Sequence, residues 1–339
     1  MFLILVHFMT EASGKRKRAQ KSEEKPSKKK ASHSSKKALR IDNYESSCKS
    51  PTEDRKFMLR GDGYDVISVL DGHGGYQVAE MAAKFLPNAI ESRLLKLEDI
   101  DRACKQKSDV IPNLMKEAFL ETDAHIRSAC VEDHKYCDMG ACVIVVLITK
   151  KVIWVANAGD SGALLISEGN RTKWLNEFHN AGSSNECNRL RAEFPDEEDI
   201  VDFIPKLSST SIAYEPYQRG RVGYLKGVIQ PTRSFGDFFL KDKDLAYAKP
   251  YNEFYQLALR NFHPPYLTAE PDVQSYKRDD EILFLVLGTD GLWDDWRPES
   301  VLSSIHTSSS NLAACLKKER YNVRDNPFDD IACYVVQFK

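Results

Sequence analysis

Apolar residues in this chain fall into two patterns. Short runs of β-branched and apolar residues, at Val66 to Leu70, Cys142 to Ile148, Val152 to Ala156, Ala163 to Ile166, Ile282 to Leu287 and Ile331 to Val336, have the length and composition of buried strands. A further short strand is expected around Lys56 to Leu59, and Thr149-Lys150-Lys151 joins two of the runs as a hairpin. Two longer stretches have helical spacing instead. In Gln77 to Leu97 the inward positions are Val78, Met81, Ala82, Phe85 and Leu86, and Pro87 is expected to kink the helix or begin a second segment. In Ile111 to Cys130 they are Leu114, Ala118, Phe119, Thr122 and Ile126. Both read as helices covering a sheet, with Asp123 and His125 turned to solvent. Shorter helices are expected near Glu299 to Ile305 and Leu312 to Lys318.

Three stretches break these patterns. Residues 13–39 are rich in Lys and Ser and nearly free of bulky apolar side chains, too little apolar surface to offset the entropy of ordering. A disordered tail over residues 1–44 is therefore expected. Residues 168–226 are polar and irregular, with an acidic patch at Glu193, Asp196, Glu197, Glu198 and Asp199, and a stretch of that length inside a domain reads as an insertion or flap. Residues 238–265 are aromatic-rich, with Phe238, Phe239, Tyr247 and Tyr251, and read as a packed excursion.

Composition changes the picture mainly through charge. The 339 residues are 42% hydrophobic and 29% charged, with net charge -2, ordinary values for a globular protein. Residues 1–40 hold 12 Lys and Arg against 3 Asp and Glu, so the remainder carries 36 against 47: an acidic body with a basic tail. The clusters Lys15-Arg16-Lys17-Arg18 and Lys28-Lys29-Lys30 resemble a two-part nuclear import signal, against which stands a solvated tail with weak affinity for nucleic acid. Nuclear or cytoplasmic placement is expected, with the mitochondrial matrix as the alternative. The apolar start, Met1 to Met9, has no basic region ahead of it and is short for a signal sequence; the abrupt change at Thr10 makes Met9 a candidate start. No apolar run reaches the roughly 18 residues that span a bilayer, so no membrane partner is expected. The eight cysteines form no Cys-x-x-Cys pair, which argues for free thiols in a reducing compartment and against a zinc site.

Candidate chemistry lies where the strands end. Asp71 follows Val66 to Leu70 in Asp71-Gly72-His73-Gly74-Gly75, Asp160 follows Val152 to Ala156, Asp290 follows Ile282 to Leu287, and Asp329 precedes Ile331 to Val336. Strands of one sheet put such ends together. Converging carboxylates repel and raise one another's pKa unless a cation compensates, and oxygen ligands without Cys or a His cluster select Mg2+ or Mn2+. Calcium fits less well, because no EF-hand spacing is present. Two ions about 4 Å apart lower the pKa of a shared water, which suits phosphoester hydrolysis. The competing reading is four unrelated turn aspartates. Glu53 and Asp54, just before the expected strand at Lys56, form either a turn or part of the same site.

DGHGG after a strand, GDSGALLI, RSFGD, LTAEPDV, TDGLWD and a terminal Asp before a strand stand in this order. Over residues 45–339 the chain thereby resembles the metal-dependent serine/threonine protein phosphatases of the 2C type, the PPM family. HNAGSSNECNRLRAEFP, GVIQPTRSFGDFFLK and PPYLTAEPDV look most like its branch containing pyruvate dehydrogenase phosphatase and a related plant group. The resemblance implies an α+β fold, a central sandwich of two antiparallel sheets flanked by helices. It implies hydrolysis of phosphoserine and phosphothreonine in proteins by metal-bound hydroxide, without a phosphoenzyme, in a chain expected to be monomeric. Asp71 is expected to bridge two metals, the Gly72 carbonyl to bind one, and Asp290 and Asp329 the other. Asp160, with Asp290, is expected to hold a third ion. Glu53 and Asp54 match the pair holding metal-bound waters, and His73 matches the group that protonates the leaving oxygen, a role suited to its near-neutral pKa. Asp294 matches an outer acid, while Arg233 and Asp237 look structural.

Three positions depart from the family pattern. Lys49 stands where an arginine usually clasps phosphate, a point charge in place of a planar fork, so phosphate binding is weakened or shared with Arg55. Gly162 stands where arginine is frequent. Asp330 replaces the usual asparagine, so Asp329 and Asp330 compete for the ligand role. The alternative function is a catalytically inactive relative serving as a binding scaffold.

Overall fold

The apolar runs become strands of two antiparallel sheets. The computed structural model describes residues 39–105, 108–205, 221–247, 262–294, 296–307, 312–313, 315–316 and 329–339. Tyr251, most of the tail and residues 314, 317 and 318 of the helix expected over 312–318 lie outside them. The strands are β1 (Arg40–Ser46), β2 (Arg55–Gly61), β3 (Tyr64–His73), β4 (Gly140–Thr149), β5 (Val152–Ala158), β6 (Gly162–Ser167), β7 (Arg171–Trp174), β8 (Val201–Pro205), β9 (Arg221–Leu225), β10 (Phe235–Gly236), β11 (Asp272–Lys277), β12 (Ile282–Gly288) and β13 (Ile331–Gln337). One sheet runs β11-β5-β4-β3-β2, with β10 on β4; the other runs β1-β13-β12-β6-β7.

Continuous apolar runs, rather than alternating ones, arise because both faces of the central strands are covered. Side chains on a strand alternate faces, and here each face has its own apolar layer. On β4, Val143, Val145 and Leu147 join the layer under the helices, while Ile144, Val146 and Ile148 join the layer between the sheets. β13 does the same for the other sheet: Ala332, Tyr334 and Val336 face inward, Ile331, Cys333 and Val335 outward. Helices α1 (Gln77–Leu94) and α3 (Val110–Glu132) cover the first sheet, with the short α2 (Ile100–Ala103) between them. The outer face of the second sheet is packed by side chains from α7 (Asp290–Trp293) and α8 (Pro298–Thr307).

Several expectations need correction. β1 begins inside the stretch assigned to the tail: Arg40–Ser46 pairs along its length with β13. Its sequence is largely polar because it is an edge strand, with only Ile41 and Tyr44 packed against the apolar layers. Pro87 does not interrupt α1, whose buried Leu86 and Ile90 hold the helix to the sheet on both sides of it. Phe85 faces outward and stacks on His125 of α3. Asp123 is not a solvent-facing residue: it accepts from Lys241 Nζ at 2.9 Å and from the Gly236 N–H at 2.9 Å. The region 168–226 is not irregular among its described residues. It contains β7, α4 (Ser184–Glu193) and the β8–β9 pair. β7 extends the second sheet, while α4, β8 and β9 pack on α5 (Phe238–Lys241) and α6 (Lys243–Ala246) around Leu190, Val201, Leu225, Phe239 and Tyr266.

Gly162, where an arginine is frequent in the family, has no room for any side chain. A Cβ there would lie 2.8 Å from Trp293 Nε1 and 2.9 Å from Trp174 Cζ3, and Trp293 Nε1 donates to the Gly162 carbonyl at 3.1 Å. Gly162→Arg is expected to destabilise the fold by about 1–3 kcal/mol, the usual cost of overpacking. An unchanged midpoint in chemical denaturation would contradict this.

Candidate active site

The acids expected from one sheet come from both, and this is the main correction to the sequence reading. β3, in the first sheet, ends at Asp71, Gly72 and His73. β12 and β13, in the second, lead to Asp290 and follow Asp329. Asp160 lies in the turn that passes from β5 in one sheet to β6 in the other. The site therefore occupies one end of the sandwich, where the two sheets meet.

Local chemistry fixes each approach. Gly72 lets the preceding loop close in: a Cβ there would stand 2.5 Å from the Glu53 carbonyl oxygen. The Asp160 turn is held by Asn157, whose Nδ2 donates to the Gly159 and Glu177 carbonyls at 2.8 and 2.9 Å. Buried His179, depressed to about 4 by burial and then by Arg233, braces it as a neutral ring. At Gly159, φ is +129° and a Cβ would strike Cys142, so glycine is required there. The two sheets are tied directly: Thr289 Oγ1 donates to Asp54 Oδ2 at 2.8 Å and accepts from the Ala332 N–H at 3.0 Å. The Asp290 N–H donates to Asp71 Oδ2 at 3.2 Å.

The electrostatics are those of acids crowded without compensation. Burial first, and then the charges of Asp290 and Asp54, push Asp71 well above the usual carboxylate range. Burial and then Asp160 and Asp294 do the same to Asp290. Asp160 is raised by burial, although Cys142 and His73 oppose it. Burial lifts Asp54 to about 7; Thr289 counters, and Asp330 and Asp329 add to the rise. Among the described residues, no Lys or Arg pairs with Asp71, Asp160 or Asp290.

Asp329 and Glu53 are different. Lys49 Nζ contacts Glu53 Oε2 at 2.5 Å and Asp329 Oδ1 at 3.1 Å, and those two acids hold its ammonium pKa above the ordinary value despite burial. Lys49 is therefore engaged with carboxylates. Arg55 is engaged too: Nη1 donates to the Thr52 and Asp54 carbonyls, both at 2.7 Å. Asp330 is engaged with the loop over residues 48–53. Its Oδ1 accepts from the Cys48 and Lys49 N–H groups at 2.7 and 3.0 Å, and its Oδ2 from the Glu53 N–H and the Thr52 hydroxyl at 2.7 and 3.0 Å. Burial alone would raise Asp330; these donors outweigh it and lower the pKa. Asp330 builds the loop that carries Lys49, Glu53 and Asp54.

Among the described residues no three His, Cys, Asp or Glu side chains form a finished cation cage. The donor set nevertheless fits hard divalent cations: buried carboxylates raised by burial and by neighbouring acids, with, among the described residues, no Lys or Arg against the central pair and no thiolate or imidazole cluster.

A family model described as Protein phosphatase 2C matches residues 40–323. The chain belongs to the protein phosphatase 2C family. Its curated relatives include Probable protein phosphatase 2C 43 of Oryza sativa subsp. japonica, 25% identical over 82% of this chain and 68% of the relative. Probable protein phosphatase 2C 30 of Arabidopsis thaliana is 26% identical over 86% and 64%, and Probable protein phosphatase 2C 78 of rice is 28% identical over 71% and 57%. The chain thus spans between 57% and 68% of the length of these three. Among solved structures, the serine-threonine phosphatase 2C of Toxoplasma gondii superposes with a TM-score of 0.64 at 16% identity, covering 89% of this chain and 95% of that one. A C. elegans sex determining protein gives 0.63 at 14% identity, covering 89% and 65%. At these identities the solved structures establish the fold, the α+β sandwich implied by the motifs.

Two residues of this phosphatase 2C chain acquire roles that sequence reasoning did not assign. Thr289, inside TDGLWD, bridges the sheets as described. Asp237, taken as structural, accepts from His73 Nε2 through Oδ2 at 2.9 Å. The only sequence signal for either was membership of a motif already noted.

Proposed function

We propose that this chain is a protein serine/threonine phosphatase that hydrolyses phosphoserine and phosphothreonine with Mg2+ or Mn2+. The observation that carries the reading is the pair Asp71 and Asp290, buried at the junction of the two sheets, Asp71 raised by burial and then by Asp290, and Asp290 raised by burial and then by Asp160 and Asp294, in a chain of the phosphatase 2C family. Such a pair is electrostatically costly without a cation, and a dication bound there would acidify water and neutralise charge building on a phosphoryl group.

The residues that would hold the ions are Asp71, the Gly72 carbonyl, Asp290 and Asp329, with Asp160 beside Asp290. Glu53 and Asp54 face the same space and would orient water. His73, its pKa raised by Asp237 against the opposing effect of burial, would give its proton to the leaving serine or threonine oxygen. Lys49 supplies positive charge at the phosphate side, and its engagement with Glu53 and Asp329 means that substrate would compete with those acids for it.

Within the family, the motifs resemble the pyruvate dehydrogenase phosphatase-like and plant branch, and the similarity to rice and Arabidopsis relatives supports the plant part of that reading. Nuclear or cytoplasmic placement rests on the two lysine-rich clusters, and imaging of a tagged full-length chain tests it. For the activity, full-length protein with Mn2+ is expected to release phosphate from a phosphoserine peptide, and chelation to stop it. Absence of metal-dependent release from either phosphoserine or phosphothreonine peptides would refute the assignment.

A further inference from the structure

Asp237 is placed with more care than a loop anchor needs. Gly236 and Asp237 both have left-handed backbone, φ +73° and +53°, and a Cβ at Gly236 would lie 2.4 Å from the Met139 carbonyl. The turn is pinned by the Asp237 N–H to the Met139 carbonyl at 2.8 Å and by Asp123 from α3. It drives the Asp237 carboxylate inward, where the side chain is fully buried. There Oδ2 accepts from both His73 Nε2 and Ser234 Oγ, while Oδ1 has no hydrogen-bond partner among the described residues. Across the strands, His73 is in register with Gly140. A Cβ at Gly140 would stand 2.1 Å from Asp237 Oδ2 and 2.4 Å from His73 Nε2. The space for this pair exists because position 140 has no side chain. A buried carboxylate with one unpartnered oxygen is unfavourable for stability alone, whereas an oriented imidazole needs such a partner.

We propose that Asp237 is a positioning residue for His73: it holds Nε2 turned inward, so that Nδ1 is the nitrogen presented to the leaving oxygen. This rests on the phosphatase reading above. As the water oxygen bonds to phosphorus and the P–O bond to serine or threonine breaks, the Nδ1 proton passes to the leaving oxygen. The products are alcohol and phosphate, and the imidazole recovers its proton from solvent. No described hydrogen bond engages Nδ1.

The test uses two substrates. A phosphoserine peptide leaves as an alkoxide and needs the proton; p-nitrophenyl phosphate leaves as a stable phenolate and does not. In Asp237→Asn, the ratio of kcat on the peptide to kcat on the aryl phosphate is expected to fall about a hundredfold, with KM for the peptide unchanged. Ser234→Ala, which keeps the carboxylate and removes one donor to it, is expected to lower the ratio about 3–10-fold and serves if Asp237→Asn fails to fold. A ratio unchanged in both variants, whether or not overall activity drops, overturns the proposal. A second readout needs neither metal nor turnover. Proton–nitrogen spectra of the full chain labelled at histidine should show a downfield, exchange-protected proton on His73 Nε2 that is lost in Asp237→Asn. An ordinary, rapidly exchanging Nε2 proton overturns the positioning role even if the chain proves not to be a phosphatase.

Discussion

Asp71→Asn is expected to abolish Mn2+-dependent phosphate release while making the metal-free protein more stable. Both effects follow from one environment. Asp71 lies at the junction of the sheets, its carboxyl raised by burial and then by Asp290 and Asp54. A raised carboxylate binds its proton more tightly folded than unfolded, so its contribution to stability falls as pH rises from the unfolded value near 3.9 through the folded one. At neutral pH the wild-type fold therefore carries unrelieved repulsion, which the neutral amide removes. Tm should rise by roughly 2–4 °C for each kcal/mol relieved, and the gain should vanish in acid. With Mn2+ the order reverses: wild type is stabilised by ligand binding and the variant is not. Activity should fall by more than about 100-fold, since even outer partners of metal ligands cost 10–100-fold when mutated. Thermal melts with and without Mn2+, alongside a phosphopeptide assay, check all three; a variant that melts below wild type without metal would show that Asp71 is a structural residue.

Asp330→Ala should be the most damaging single change to the site's framework. Both carboxylate oxygens are committed, to three backbone N–H groups and one hydroxyl of residues 48–53. Hydrogen bonds to a charged acceptor are worth about 1.5–3 kcal/mol each, and removal takes the shared acceptor from four part-buried donors at once. Because such bonds within one network do not add, a loss of about 3–4 kcal/mol is expected in denaturant unfolding. The pKa of Asp330 is lowered in the fold, so the stabilisation is fully present above the unfolded value near 3.9 and fades as pH falls through the folded one. Wild type and variant should converge in acid. Asp330→Asn, which restores the residue usual in the family, keeps one acceptor oxygen and should recover about half the loss. Equal stability of Asp330→Ala and wild type at pH 7 would remove this residue from the framework.

The motifs around Asp71, Asp160, Asp290 and Asp329 were legible because glycine next to an acid at the end of an apolar run is a local pattern. The central strands were legible for a similar reason: runs such as Cys142 to Ile148 are continuous because both their faces are buried. Where burial is one-sided, the signal failed. The edge strand β1 reads as tail, and α4, β8 and β9 within residues 168–226 read as irregular, because their apolar contacts come from Phe239, Tyr266 and Leu267, far along the chain.

What the sequence determined by itself was the strand and helix periods, the family motifs and the set of acids available. Which acids do what was decided only by the tertiary structure. Asp329 and Asp330 are neighbours in the chain, yet one faces Lys49 and the other ties down a loop some 280 residues earlier. Asp237 looks like any turn aspartate until the fold sets it against His73. A side chain's role depends on its partners, and partners distant in sequence are brought to hydrogen-bond distance by the packing of the two sheets, which no local pattern of residues encodes.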